Sequence, residues 1–172
     1  RVNWMMRGSM LSQVRRMRLT YRHPQPLRRP FARSVMDNAL SVDKRLVRTS
    51  FDRAAAGYDA AAVLQHEVCK RMFGRLELIK LEPAALLDAG CGTGNATAQL
   101  QSRFPRATLY SLDIAPAMLR HAMGRSSWWQ RARGRAPKPV CADIEHLPLR
   151  SQALDLVWSN LALQWVNDPP HA

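Results

Sequence analysis

Three cysteines are all that the 172-residue sequence offers. Cys69, Cys91 and Cys141 are odd in number and far apart, which supports neither a disulfide framework nor a zinc site, so no metal is expected. A reducing compartment, the cytoplasm, is the expected location. Long apolar runs are missing too. No stretch approaches the roughly 18 to 20 residues of a bilayer-crossing helix, so no membrane association is expected. What residues 1 to 35 lack is acid: they hold nine Arg and no Asp or Glu, whereas residues 36 to 172 hold 17 basic and 13 acidic side chains. Most of the net charge of +13 is therefore local to one end. A nucleic-acid-binding protein is the function class such a charge suggests, but no aromatic-rich RNA-reading motif accompanies it. Nucleic acid is not the expected partner.

The basic segment also lacks apolar periodicity and contains Pro24, Pro26 and Pro30, so residues 1 to 40 are expected to be a disordered extension outside the fold. Three origins are open: an Arg-rich presequence, a nucleic-acid-binding arm, or upstream coding sequence read in frame ahead of a start at Met36. A self-contained folding pattern begins just after Met36, which favours the last.

What is present is a 47% hydrophobic chain of a size that suits one core. Over residues 41 to 83, Ser41 or Asp43 can cap a first helix that Gly57 interrupts. Leu64, Val68, Met72, Leu76 and Ile79 then recur at helical spacing until Glu82 and Pro83 stop the pattern. These helices precede the first strand and are expected to cover a site. Residues 84 to 172 alternate strand and helix: strand 84 to 90, helix 95 to 103, strand 107 to 113, and a helix opened by Pro116. A basic insert, 125 to 138, reads as a solvated loop or a partner-binding patch. Strands 139 to 143 and 154 to 160 follow. The pattern predicts an α/β, Rossmann-like doubly wound parallel sheet.

Ligands of such sheets bind beyond the carboxyl ends of the strands, and a polar residue closes each predicted strand: Asp88, Asp113, Asp143 and Asn160. After the first strand, "DAGCGTGN" places glycines at 90, 92 and 94, with Asn95 where a dinucleotide fingerprint requires its third glycine. Asp88 would also repel a pyrophosphate, while it suits a ligand carrying an ammonium and a sulfonium. S-adenosyl-L-methionine is such a ligand. Asp113 can accept both ribose hydroxyls, Asp143 the adenine amino group, and Ile144 can pack on the ring. Gly90 and Gly92 would let the backbone approach closely, with Cys91 a small packing residue of the turn.

"LLDAGCGTG", "LYSLDIAPAML", "CADIEHLPL" and "LDLVWSNLALQWVND" resemble the successive motifs of class I S-adenosylmethionine-dependent methyltransferases. Together with "SFDRAAAGYDAAAVLQHEV", they resemble the malonyl-acyl-carrier-protein O-methyltransferases of biotin synthesis, from about Ser41 onward. The resemblance implies cofactor contacts from Asp88, Gly90, Cys91, Gly92, Gly94, Asp113, Ile114, Asp143, Ile144 and Asn160. It also implies a substrate pocket bordered by Tyr58, Asn160, Leu161 and Gln164. Tyr58 can equally be a half-buried aromatic sealing a turn, and Trp165 reads as packing. Other small-molecule methyltransferases and a related arginine hydroxylase share the motifs. Many relatives have a hydroxyl residue where this chain has Ala115, which weakens the cap of the following helix.

The implied substrate, the malonyl group of an acidic acyl-carrier protein, brings a carboxylate already ionised at neutral pH. Its oxygen needs no general base, so no acid/base catalytic residue is expected, and alignment carries the reaction. Lys44, Arg45, Arg48 and Arg53 are candidate docking cations for the carrier. The family's sheet has seven strands and this sequence holds four. A truncated fold is therefore expected, with an apolar edge on strand four, weak cofactor binding and no turnover.

Overall fold

The computed structural model describes residues 41–170. The expected basic extension, residues 1 to 40, lies outside the described residues. Helix α1, Lys44–Ala54, starts where the Asp43 carboxylate accepts the N–H groups of Arg45 (2.8 Å) and Leu46 (3.3 Å). Of the two possible caps, Asp43 is the one used, and it satisfies two of the donors a helix start leaves open. A turn over 55–57 leads to α2, Tyr58–Ala61, and then α3, Val63–Leu76.

The apolar stripe expected on α3 needs correction. Leu64 and Ile79 are exposed, and the helix ends at Leu76 in tight turns through Leu78 and Ile79. The face that packs is Cys69, Met72, Phe73 and Leu76. Spacings of three and four fit both sets, and only the position of the sheet picks the phase.

Four parallel strands follow: β1, Ala85–Ala89; β2, Thr108–Asp113; β3, Lys138–Cys141; and β4, Leu156–Trp158, in the order β3-β2-β1-β4. Helix α4, Asn95–Arg103, links β1 to β2; α5, Pro116–Gly124, and α6, Trp128–Ala132, link β2 to β3. Side chains alternate between the faces of β1. Leu86 joins Leu100, Leu109 and Trp158 against α3, while Leu87 and Ala89 join Leu112 on the other face. Strand order reverses between β1 and β4, which puts the topological switch point at their carboxyl ends. β4 is the outer strand on that side, and its Val157 is half exposed, as the expected apolar edge requires.

The basic insert and the start of the helix after β2 are more ordered than the sequence suggests. The basic insert includes α6, opened by a capping box in which Ser127 and Gln130 each bond the other's backbone N–H. Helix α5 begins at Ala115 with no cap from its own side chain. Instead Asp52 of α1 accepts the N–H of Ala117 at 2.7 Å. The weak cap is thus repaired by the N-terminal cover, which becomes tied to the sheet domain.

Candidate functional site

At the switch point lies a cavity enclosing about 610 Å³ of space, part of it open to solvent. Its floor is the glycine turn, Gly90 and Gly92; its sides are the ends of β2 and β3 with their following residues, and the segment after β4. Val47, Phe51 and Tyr58 of the cover close it from above. The expected site residues Tyr58, Gly90, Gly92, Asp113, Ile114, Asp143, Ile144, Asn160 and Leu161 all line this one cavity.

Asp88, Cys91, Gly94 and Gln164 do not. Asp88 pairs with Ser111 and Trp158 inside the sheet, whereas Asp113 pairs with Cys141. The register therefore sets Asp88 two residues deeper than Asp113. The expectation of four polar groups in line is corrected: Asp113 and Asn160 stand level with Gly90, and Asp143 lies two residues beyond. Asp88 is buried and accepts the Thr97 hydroxyl at 2.6 Å. Burial raises its carboxyl to about 7, against the Thr97 hydrogen bond and with help from Asp113. Its work is to anchor α4 under the turn. Cys91 is buried, and its thiol is pushed well above the ordinary range by burial and by the Asp88 and Asp113 charges. It is a packing residue and no nucleophile. Gly94 is set by packing, since a Cβ there would stand 2.8 Å from the Ala122 backbone at φ +86°. Gln164 is exposed on a 3-10 turn, while its neighbour Trp165 lines the cavity and meets Phe51 edge-on at 5.5 Å.

Asp113 is held in place by two backbone donors, Gly92 N–H on Oδ2 and Ala115 N–H on Oδ1, each at 2.9 Å. Burial raises its carboxyl, and these N–H groups oppose the rise. Tyr58 stands over Gly92, and its phenol is raised by burial and then by the charges of Asp113 and Asp59. Asp59 in turn accepts from Thr93 and Arg125, which pins α2 to the glycine turn. Asn160 donates to the Gln65 carbonyl at 3.0 Å, and its buried Oδ1 has no partner among the described residues. Leu161 follows with φ 54°, a left-handed conformation that costs a branched residue on the order of 1 kcal/mol or more. Strain and an orphaned acceptor thus coincide in the cavity wall.

Lys44, expected as a docking cation, is spent inside the molecule: its Nζ lies 2.9 Å from Asp143 Oδ1 and 2.5 Å from Glu145 Oε2. Burial pulls the ammonium down, but the two carboxylates more than compensate and raise it overall. Glu145 is held down at about 2, chiefly by Lys44. It also accepts the N–H groups of Asn167 and Asp168, so the cover, the third strand and the segment after β4 meet here. Sequence reasoning missed Lys44, Val47, Phe51 and Ala162 as cavity residues. Only Val47 and Phe51 left a signal, an apolar i, i+4 pair on a helix whose other residues, Leu46 and Ala54 apart, are polar. Among the described residues no cluster of His, Cys, Asp and Glu could hold a metal ion, and no helix is long and apolar enough to cross a membrane.

A parallel sheet reversing beside a glycine turn, with a carboxylate fixed at the end of its second strand, defines a Rossmann-like nucleoside-binding domain of the methyltransferase type. The methyltransferase-domain family model matches residues 87–172, half of the chain, and the chain belongs to that family. It is 58% identical over 134 residues to the malonyl-[acyl-carrier protein] O-methyltransferase of Gallionella capsiferriformans, covering 77% of this chain and 46% of that one. Its identity to the protein of the same name from Methylovorus sp. is 55% over 132 residues, covering 76% and 45%. The chain spans less than half the length of these curated relatives. Among solved structures, a Haloferax volcanii methyltransferase in complex with its activator matches with a TM-score of 0.58 and 26% identity, covering 70% of this chain and 51% of that one. The [4+2]-cyclase SpnF matches with a TM-score of 0.53 and 19% identity, covering 76% and 54%, a likeness of fold alone.

Proposed function

We propose that the chain carries the cofactor-binding part of an S-adenosyl-L-methionine-dependent O-methyltransferase that esterifies the free carboxylate of malonyl-acyl-carrier protein in biotin synthesis, in the cytoplasm. The single observation that carries the nucleoside half of this reading is Asp113, a buried carboxylate fixed by the glycine turn and facing the cavity. Such a group accepts paired hydroxyls and repels a phosphate. The residues present fit the rest of the cofactor. Asp143 and Ile144 offer an acceptor and an apolar face for an adenine, and the orphaned Asn160 Oδ1 suits an ammonium or hydroxyl donor. Asp88 does not line the cavity and accepts from Thr97, so this reading assigns it no direct contact with the cofactor. Support for the acyl substrate comes from the names of the relatives at 58% and 55% identity.

When bound, the cofactor supplies a methyl group on a sulfonium. The chain's own part is positional. Tyr58, Phe51 and Trp165 line the cavity with aromatic surface above the glycine turn, and an apolar wall favours the merging of a carboxylate with a cation. No side chain needs to move a proton. Isothermal titration of the chain with S-adenosyl-L-methionine and, separately, with NAD tests the reading. Heat with the first and none with the second is expected; the reverse pattern defeats it.

A further inference from the structure

Local helix physics does not account for Lys44. It is the first residue of α1, where the positive end of the helix disfavours a cation, and the first turn holds no acid to offset it. What favours it lies 99 residues away, in the carboxylate of Asp143. Asp143 divides its two oxygens. Oδ1 accepts Lys44 Nζ at 2.9 Å and the Glu145 N–H at 3.1 Å, the second bond capping the 3-10 turn Ile144–His146. No group among the described residues donates to Oδ2. A carboxylate turns about its last side-chain torsion in a broad well, and the Glu145 N–H by itself leaves that freedom. A second donor on the same oxygen, from a different element, removes it. The ammonium is fixed in turn by Glu145 Oε2 at 2.5 Å, and Glu145 is held by the N–H groups of Asn167 and Asp168. Lys44 and Asp143 are only 23% and 20% exposed, so their attraction is weakly screened. Both line the cavity, together with Ile144.

We propose that Lys44 is a positioning residue for nucleobase selection: by holding Asp143 Oδ1 it keeps Oδ2 as a fixed acceptor for a 6-amino group, so that the N-terminal cover helps to choose adenine over a 6-oxopurine. The inference rests on the function argued above. A 6-aminopurine brings a donor to that oxygen. A 6-oxopurine brings a carbonyl, whose lone pairs meet those of the carboxylate with no proton between them. The donor it does carry on this edge, N1–H, is displaced by one ring position, and a carboxylate meets it only by turning. A pinned Asp143 therefore discriminates, and a loose one accommodates both bases. Lys44 touches neither base in this account; it acts through Asp143.

Titration calorimetry of the full chain with S-adenosylhomocysteine and with S-inosylhomocysteine, which differ only at the 6-position of the purine and its N1 proton, reads the selectivity as a ratio of Kd values. The parent is expected to bind the adenine compound on the order of tenfold more tightly. Lys44→Met should lower that ratio about fivefold or more, chiefly by weakening the adenine compound. Asp143→Asn should lower it as far, and Lys44→Met added to Asp143→Asn should lower it no further. Asp52→Ala releases α1 from α5 without touching Asp143; it should weaken both compounds alike and hold the ratio within about twofold of the parent's. Should Lys44→Met not fold, Lys44→Met/Glu145→Gln removes the ammonium together with one carboxylate it offsets and keeps an acceptor for Asn167 and Asp168, with the same fall expected. A ratio unchanged by the loss of Lys44, lowered as much by Asp52→Ala, or lowered further in the Asp143→Asn background overturns the positioning role while the proposed function stands. So does a parent that binds both compounds equally. Absence of heat from the parent with S-adenosyl-L-methionine defeats the functional reading itself, and the role of Lys44 with it.

Discussion

Gly90 and Ala162 approach so closely that a methyl group on the glycine would stand 2.2 Å from the alanine Cβ. This contact is the switch point in atomic form, the turn after β1 pressed against the segment after β4. Gly90 also has φ +75°, where a Cβ is strained whatever the space. Gly90→Ala is therefore expected to cost about 2 kcal/mol or more of stability and to weaken cofactor binding at least about tenfold. Gly74→Ala is the contrast: it lies within α3 with nothing within 4 Å of its Cβ position, and should be neutral or stabilising by up to about 1 kcal/mol. Urea unfolding midpoints and titration calorimetry of the two variants decide; equal behaviour of both would show that the close approach does not constrain the turn.

Asp113→Asn should separate binding from folding only in part. The amide keeps one acceptor for two backbone donors, Gly92 and Ala115, so about 1 to 3 kcal/mol of stability is expected to go. Cofactor affinity should fall about tenfold or more beyond what Asp143→Asn causes. Calorimetry on both variants measures the gap, and a larger loss from Asp143→Asn would reassign the principal nucleoside acceptor.

The buried Asp88 carboxyl, raised to about 7 from an ordinary 3.8, makes stability depend on pH in an unusual direction for an acid. Between those values the folded state holds a proton that the unfolded chain releases. Stability should therefore fall as pH rises from about 4 to about 7, then level off. Asp88→Asn keeps an acceptor for Thr97 and removes the titration. Urea midpoints of the parent are expected to be lower at about pH 8 than at about pH 5, with the difference shrinking in the variant. A parent and variant with parallel pH profiles would show that Asp88 does not titrate in this window.

Lys44 holds Glu145 at about 2, below its ordinary 4.5. A carboxyl lowered on folding contributes stability above its ordinary value and loses it as pH drops toward the folded one. The clasp between the cover and the segment after β4 should therefore loosen as pH falls from about 4.5 toward 2. Lys44→Met should loosen it at neutral pH. Hydrogen exchange is expected to quicken over residues 44–54 in both cases while β1 and β2 stay protected. Unchanged exchange in α1 would mean that Asp52 and the apolar contacts hold the cover unaided.

The strands were legible because parallel strands buried on both faces read as short apolar runs bounded by turns, as in "ALLDA" and "TLYSLD". The glycine turn and Asp113 were legible for the same reason: a strand end and a strained turn leave local chemical signatures. The depth of Asp88 was not. A residue near the end of a strand looks the same whether its neighbour strand stops level with it or runs two residues further, and that difference is a matter of register. Nor was the fate of Lys44, whose partner Asp143 lies 99 residues away, or the repair of α5 by Asp52 across 65 residues.

By itself the sequence determined the alternation of elements, the glycine turn after the first strand and the identity of the carboxylate beside it, because each depends on neighbours within a few residues. Tertiary structure alone decided which acid faces the cavity, which cations are paired inside the molecule and what closes the site. Those outcomes depend on which groups meet across the fold, where burial and pairing fix a charge's role, and no short-range pattern records such meetings.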